Sequence, residues 1–221
     1  MSMLLDVPAV VTQPNGSRHA GTFPLFTETG FSDGVIGIRR FRRDDAPLML
    51  EAVLESYRDL STWLTWCRDR YSHKDSEAFV SNCRDEWDSG QSFCFAIVRA
   101  LDGAFLGSVG LNQLNHIHKF ANLGYWVRSG YTGQGVASAS VRLVARFGLR
   151  ELGFNRLEIV VPAGNRPSQR VAEKVGARRE GVLRNRIVLR GRMDHAVMYS
   201  LVAEDLPAWN RQGWSNRESI R

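Results

Sequence analysis

The chain has little cysteine, and none of it stands in the C-x-x-C spacing that zinc sites and dithiol redox centres use. Cys67, Cys83 and Cys94 are odd in number, which excludes a closed disulfide framework and reads as small core hydrophobes in a reducing compartment. Long apolar runs are also missing, and none approaches the roughly 20 residues that cross a bilayer. Met1–Pro8 lacks a basic segment, and Asp6 and Pro8 interrupt its apolar residues. The reading is a cytoplasmic protein with no signal peptide and no membrane partner. There is no internal repeat and no aromatic signature of an RNA-binding sheet. Acidic residues are in deficit, 23 against 29 Lys and Arg for a net charge of +6, which permits an anionic partner. The arginines cluster in Arg39-Arg40-Phe41-Arg42-Arg43 and between Arg178 and Arg192. Basic pairs at period two favour solvated strand edges and helix ends over a nucleic-acid surface, so no direct nucleic-acid binding is expected.

What is present is an ordinary globular composition. With 43% hydrophobic residues among 221, the chain holds one domain with a sizeable core and tails. Residues 1–33, with Pro8, Pro14, Asn15-Gly16, Gly21, Pro24 and Gly30 and no sustained period, read as a leader. The domain proper runs over 34–202, and 203–221, with Pro207, Trp209 and Trp214, reads as a tail. A strand at 35–41 precedes a helix that Asp44 or Asp45 can cap and that reaches Tyr57. A second helical piece carries Leu60, Trp63, Leu64 and Cys67; a third starts at Ser76 and shows Phe79, Cys83 and Trp87 as its stripe. Strands at Phe93–Val98, Phe105–Leu114 and Phe120–Val127 form a meander, with a turn at Asp102-Gly103. A helix with Ser140, Leu143, Val144 and Phe147 on one face ends near Leu152-Gly153. A strand at Leu157–Val161, a helix at Asn165–Val175 and strands at 182–189 and 195–202 close an α/β domain.

Gly130, Gly133 and Gly135 fall between the strand end Tyr125-Trp126-Val127 and the following helix. A helix N-terminus presents unpaired N–H groups and about half a positive charge, and glycines leave it open to a bulky anion such as a diphosphate. A tight turn that needs positive φ would use the same residues, but the strand before and the amphipathic helix after favour the anion site. The P-loop requires Lys-Ser/Thr after its last glycine, and Val136-Ala137 excludes it. The dinucleotide fingerprint G-x-G-x-x-G meets Ser138 in place of its third glycine. Glu158 lies about twenty residues on, as a ribose-binding acid should, yet it opens its strand instead of ending it. The upstream meander is also foreign to a doubly wound sheet, which leaves that fingerprint as the weaker alternative.

Thr132-Gly133-Gln134-Gly135-Val136-Ala137 resembles the R/Q-x-x-G-x-G/A loop of the GCN5-related N-acetyltransferases (GNAT). Further motifs bring the likeness closest to the bacterial ribosomal-protein alanine and serine N-acetyltransferases. These are Trp63-Leu64-Thr65-Trp66, Leu123-Gly124-Tyr125-Trp126-Val127, the run Asn165 to Ala177, Glu180-Gly181-Val182-Leu183-Arg184, and Asp194 to Leu201. The resemblance spans residues 35–202. It implies a mixed, mostly antiparallel sheet of about six to seven strands flanked by helices, with splayed central strands that bind acyl-CoA. It implies acetyl-CoA as co-substrate, with no metal. The pyrophosphate falls to the loop Thr132, Gly133, Gln134, Gly135, Val136, Ala137 and Ser138; the rest of the donor site is the backbone of Trp126 and Val127 together with Asn165, Ser168 and Arg170. Trp63, Trp66 and Tyr125 fall beside the acceptor. Two departures are Thr132, where the family prefers Arg or Gln, and Ala177, where phenylalanine is common.

In the resembling family the amine attacks the thioester directly, and a backbone N–H, here near Val127, polarises the carbonyl. Ser168 is the candidate to protonate the leaving thiolate, because Ala172 stands where many relatives carry a tyrosine acid. Ser168 can equally be a first-turn helix residue. The general base is open. Glu158 is a candidate, Asp194 can simply pair with an arginine, and Ile187 stands where a relative has glutamate. An α-amine with pKa near 8 is neutral in a tenth or more of molecules at about pH 7.4, a lysine near 10.4 in only about one in a thousand. A site without an evident base therefore suits an α-amine. The expected acceptor is a protein N-terminus, with ribosomal proteins as candidate partners. A small amine, antibiotic or metabolite is the alternative, and a non-catalytic acyl-CoA-binding module a further one. Either a monomer or a homodimer fits. His116 and His118 could share a strand face, but with only His195 as a possible third ligand no metal is expected.

Overall fold

The computed structural model describes residues 30–206. Its elements are β1 (Phe31–Ser32), β2 (Ile36–Arg40), α1 (Asp45–Glu55), α2 (Tyr57–Trp63), α3 (His73–Asp88), β3 (Phe93–Arg99), β4 (Phe105–Asn115) and β5 (Phe120–Val127). Then come α4 (Val136–Arg146), β6 (Arg156–Pro162), α5 (Arg166–Lys174), β7 (Arg178–Leu189) and β8 (Arg192–Leu201). The strands form one sheet in the order β1-β2-β3-β4-β5-β6-β8-β7. Every neighbouring pair is antiparallel except β5 and β6, which run parallel.

Strand periodicity decides how this sheet is covered. On β3, Phe93, Phe95 and Ile97 face one side while Cys94 and Ala96 face the other, and all are buried. A strand apolar on both faces needs a layer on each. One layer is α4 and α5, whose Val141, Leu143, Val144 and Ala172 join Leu106, Leu111, Leu123 and Val161 in the larger core. The other is α1 and α3, whose Met49, Val53, Phe79 and Cys83 pack on Cys94, Ala96, Phe105 and Trp126. The three cysteines are free and buried.

The expected elements are present; β8 starts at Arg192 instead of 195, and three further differences have identifiable causes. The eighth strand is β1, inside the segment read as a leader. The Phe31 ring lies 6.2 Å from Phe95 and 5.6 Å from Phe147, so aromatic burial draws this stretch onto the sheet edge. Helix α3 starts at His73, three residues before Ser76, because Ser72 offers both its N–H and its Oγ to the Asp75 carboxylate, at 2.8 and 2.6 Å. That is the reach-back of a capping box, with Asp in the acidic position; Ser76 turns inward and donates to Tyr71 Oη at 3.2 Å. Strand β7 begins at Arg178, not 182, since an edge strand can carry charged side chains that hide its apolar alternation. Apart from residues 30–33 and 203–206, the leader and tail lie outside the described residues.

Much of the arginine excess is spent on tying elements together. Arg39 grips the buried Asp45 carboxylate with both terminal nitrogens at 2.7 Å, joining β2 to the start of α1. Arg40 pairs with Asp88 at 2.6 Å and lies over the Trp87 ring. Arg156 donates to Glu158 at 2.9 Å and to both Glu180 oxygens at 2.5 Å, and Ser200 Oγ donates to Glu180 at 2.7 Å, which joins β6, β7 and β8. The Arg156 guanidinium, helped by Ser200, holds the Glu180 carboxyl down to about 2 from its ordinary 4.5. A carboxylate whose pKa is lower in the folded state stabilises the fold above the unfolded value, and that stability is lost as pH falls through the folded value. The melting temperature should therefore drop between about pH 4.5 and 2, and Glu180→Gln should remove part of that slope. An acid limb of unchanged steepness in Glu180→Gln would show that the pair contributes nothing.

Candidate active site

The two parallel strands at the centre part company early. Strand β5 pairs with β6 only over Phe120–Asn122 against Arg156–Glu158. Beyond that point β5 stays with β4, as far as Gly107 opposite Val127. Strand β6 instead follows β8, as far as Pro162 opposite Ala196. The edge of Leu123–Val127 is thus left without a strand partner, and a wedge opens between the two strands. Arg128 N–H goes to the Leu106 carbonyl at 2.8 Å. Successive N–H groups along a strand point to opposite sides, so Val127 N–H points away from β4 and into the wedge. A side chain at Gly107 would come within 2.2 Å of the Trp126 carbonyl, so only glycine lets β4 hold the end of β5 this closely.

The glycine turn sits at the mouth of the wedge. A 3-10 turn, Ser129–Tyr131, leads to Thr132–Gly135 and then to α4. Gly133 and Gly135 have φ of +76° and +85°, a region closed to most L-residues, and a Cβ on either would meet nothing within 4 Å. The turn is conformationally demanding and open on its outer side at once. Ala139 N–H is the first in α4 to find a helical carbonyl, that of Gly135, so the amides of Val136, Ala137 and Ser138 precede the helical ladder. The side chains of Thr132 and Gln134 are spent inside the loop, donating to the carbonyls of Ser129 at 2.9 Å and Gly130 at 3.0 Å. Helix α1 anchors the base of the loop. Arg128 donates to Glu55 and Glu51 at 2.6 Å, Gly130 N–H to Glu55 at 3.1 Å, and Ser129 N–H to Ser56 Oγ at 2.8 Å. The Arg128 guanidinium holds the Glu55 carboxyl below its ordinary range.

At the other end of the wedge α5 begins. Asn165 is its N-cap, with Oδ1 accepting Ser168 N–H at 3.1 Å, and Pro167 follows in the first turn. Ser168 Oγ lies 2.8 Å from Tyr125 Oη, so a hydroxyl from β5 meets the candidate acid. Arg170 is exposed further along α5. The tryptophans divide. The Trp63 ring closes on Gly164, in the loop before α5, where a Cβ would come within 3.2 Å of it. Trp66 is buried 6.0 Å from Trp126 and 6.3 Å from Phe79, in the core under α1 and α3. Trp126 is buried there too, so of that residue only the backbone borders the wedge.

Neither candidate base is free. The Glu158 carboxylate accepts from Arg156, and Asp194 Oδ1 accepts His195 N–H at 2.7 Å. His195 Nδ1 in turn accepts Asn185 N–H at 3.1 Å, and among the described residues no group of three metal-ligating side chains comes together. A groove of about 770 Å³ runs between the region after α1 and the β7–β8 turn, with Tyr57, Arg68, Asp69 and Arg190 on its walls. Arg190 closes across it to the Ser61 carbonyl at 3.4 Å and Thr62 Oγ1 at 3.3 Å, and Tyr57 hydrogen-bonds Asp69. Sequence reasoning missed Tyr57, Asp69 and Arg190, because they stand in stretches without a motif and meet only across the fold. The hydroxyl contact between Tyr125 and Ser168 was equally out of reach, although both residues were singled out separately.

The profile of the acetyltransferase (GNAT) domain family matches residues 36–178. A Bacillus subtilis (strain 168) protein named "Putative ribosomal N-acetyltransferase YdaF" is 26% identical over 172 residues, 77% of this chain and 92% of that one. The spermidine N(1)-acetyltransferase of Escherichia coli (strain K12) is 26% identical over 164 residues, 73% of this chain and 83% of its own. Among solved structures, Mycobacterium smegmatis RimJ in complex with CoA-disulfide superposes with a TM-score of 0.73 at 28% identity, covering 81% of this chain and 88% of that one. The family match takes in the wedge, the glycine loop and the start of α5 together, and the chain belongs to the GNAT acetyltransferase family.

Proposed function

We propose that the protein transfers an acetyl group from acetyl-CoA to the N-terminal α-amine of a polypeptide. The observation that carries the donor half is the wedge, with an open glycine loop at its mouth, Val127 N–H pointing inward and Ser168 at its far end. In this reading the amides from Gly133 to Ser138 hold the pyrophosphate, which explains why Thr132 and Gln134 can turn their side chains back into the loop. Asn165 caps α5 with its oxygen and offers its NH2 to the pantetheine arm, and exposed Arg170 meets the outer phosphate. Val127 N–H stabilises the oxyanion. Ser168 gives its proton to the thiolate.

The acceptor half rests on charge. Glu158 and Asp194 are committed to other partners, so an amine that arrives largely protonated has no evident base to relieve it. A polyamine acceptor would call for a strongly acidic groove, yet Arg68 and Arg190 face a single acid, Asp69, on its walls. Both points favour a polypeptide α-amine over a polyamine, and the relative named for ribosomal acetylation supports a ribosomal protein as its source. Trp63, whose ring closes on Gly164 just before α5, is the aromatic side chain this reading places beside the acceptor.

Two experiments test the two halves. Ala137→Glu puts a negative charge on the first turn of α4, where it favours the helix by about 0.3–1 kcal/mol but repels an anion. It should leave the melting temperature unchanged or raised and abolish CoA binding in a calorimetric titration; unchanged affinity would remove the loop from the donor site. For the acceptor, one peptide is prepared with only its α-amine free and again with only a lysine free. The α-amine form should react faster by a hundredfold or so near pH 7.4, and its kcat/KM should rise with pH to a plateau at about 8. Faster acetylation of the lysine form, or of spermidine, would overturn the N-terminal reading.

A further inference from the structure

Ser168 does not stand alone at the start of α5. Tyr125 reaches it from β5, and Tyr125 Oη lies 2.8 Å from Ser168 Oγ and 3.1 Å from the Ser168 carbonyl oxygen. The carbonyl can only accept, and each hydroxyl has one proton. If Tyr125 donates to the carbonyl, Ser168 must spend its proton on Tyr125. If Tyr125 donates to Ser168 Oγ, the Ser168 proton is free to point into the wedge. Only the second arrangement makes Ser168 a donor to a departing sulfur. Burial pushes the Tyr125 phenol up to about 12, so it holds its proton throughout the physiological range and enters the contact with Ser168 as a neutral hydroxyl that can donate. The next turn of α5 supplies no hydroxyl, since Ala172 stands there, fully buried.

We infer that Tyr125 is a positioning residue for the reaction: its hydroxyl donates to Ser168 Oγ, aims the Ser168 proton at the leaving sulfur, and stabilises the charge that develops on that oxygen. The inference rests on the reading of Ser168 as the acid. The step balances without a further reactant. The amine lone pair forms the C–N bond, and the C–S bond breaks with its electron pair going to sulfur. The Ser168 proton moves to that sulfur, and the proton shed by nitrogen restores the serine. Tyr125 keeps its own proton from start to finish.

The test is a double-mutant cycle of Tyr125→Phe and Ser168→Ala, with kcat and the acetyl-CoA KM measured for each variant. Phenylalanine keeps the ring that packs against the core and removes only the hydroxyl. Ser168→Ala should lower kcat about a hundredfold, and Tyr125→Phe about tenfold, with KM changed less than about twofold in each. In the Ser168→Ala background, Tyr125→Phe should have no further effect, because its action passes through the serine. A purely structural role would lower kcat equally in both backgrounds, and that result would overturn the proposal. A Tyr125→Phe kcat within about twofold of the parent would do the same. Full activity in Ser168→Ala would overturn the acid assignment itself, and the cycle thus separates the two failures.

Discussion

The site depends on a sheet that is not allowed to close. Strands β5 and β6 are parallel neighbours, yet each is held by a different antiparallel partner along most of its length. Antiparallel pairing outcompetes the parallel contact after three residues, and the wedge is what remains. Buried backbone groups must find partners, and the unpaired edge of Leu123–Val127 is therefore suited to take an extended ligand in place of a strand, as sheet edges elsewhere take peptides. Gly107 tightens one side of this wedge by letting β4 approach the end of β5.

Around the wedge, charge is used to hold backbone in place before any ligand arrives. Arg128 with Glu51 and Glu55 fastens the loop to α1, and Gly130 N–H adds to the same carboxylate. Arg156 with Glu158 and Glu180 fastens the far strands. Groups fixed in advance lose less freedom on binding, and the base of this loop is already fastened to α1. The Glu158 carboxylate is drawn into the same set of contacts, accepting from Arg156, and Asp194 accepts His195 N–H.

The order of elements from 35 to 202 was legible because periodicity and turn chemistry are local. Phe93–Val98 reads as a strand from its run of apolar residues, and the helix before Leu152-Gly153 from the apolar face that Leu143, Val144 and Phe147 share. The misplacements have equally local causes. Ser72-x-x-Asp75 starts α3 where the apolar stripe suggested Ser76, since a cap can precede the stripe by a turn. The charged start of β7 conceals a strand that tertiary pairing with β8 recruits. Strand β1 has only two residues, too few to show a period.

The amino-acid sequence by itself determined the family, the glycine turn and the residues that form its two ends. Positive φ at Gly133 and Gly135 is a property of a few adjacent residues, and so is the capping of α5 by Asn165. Only the tertiary structure decided what those residues touch. Tyr125 and Ser168 are 43 positions apart and share a hydrogen bond, while Arg190 reaches across 129 positions to Ser61. It also decided that Trp63 faces the wedge-side loop while Trp66 is core, and that Glu158 belongs to Arg156. Periodicity can assign a residue to a face, but the partner it meets there depends on which strands lie side by side. That order is set by packing across the whole sheet, beyond the reach of any local window.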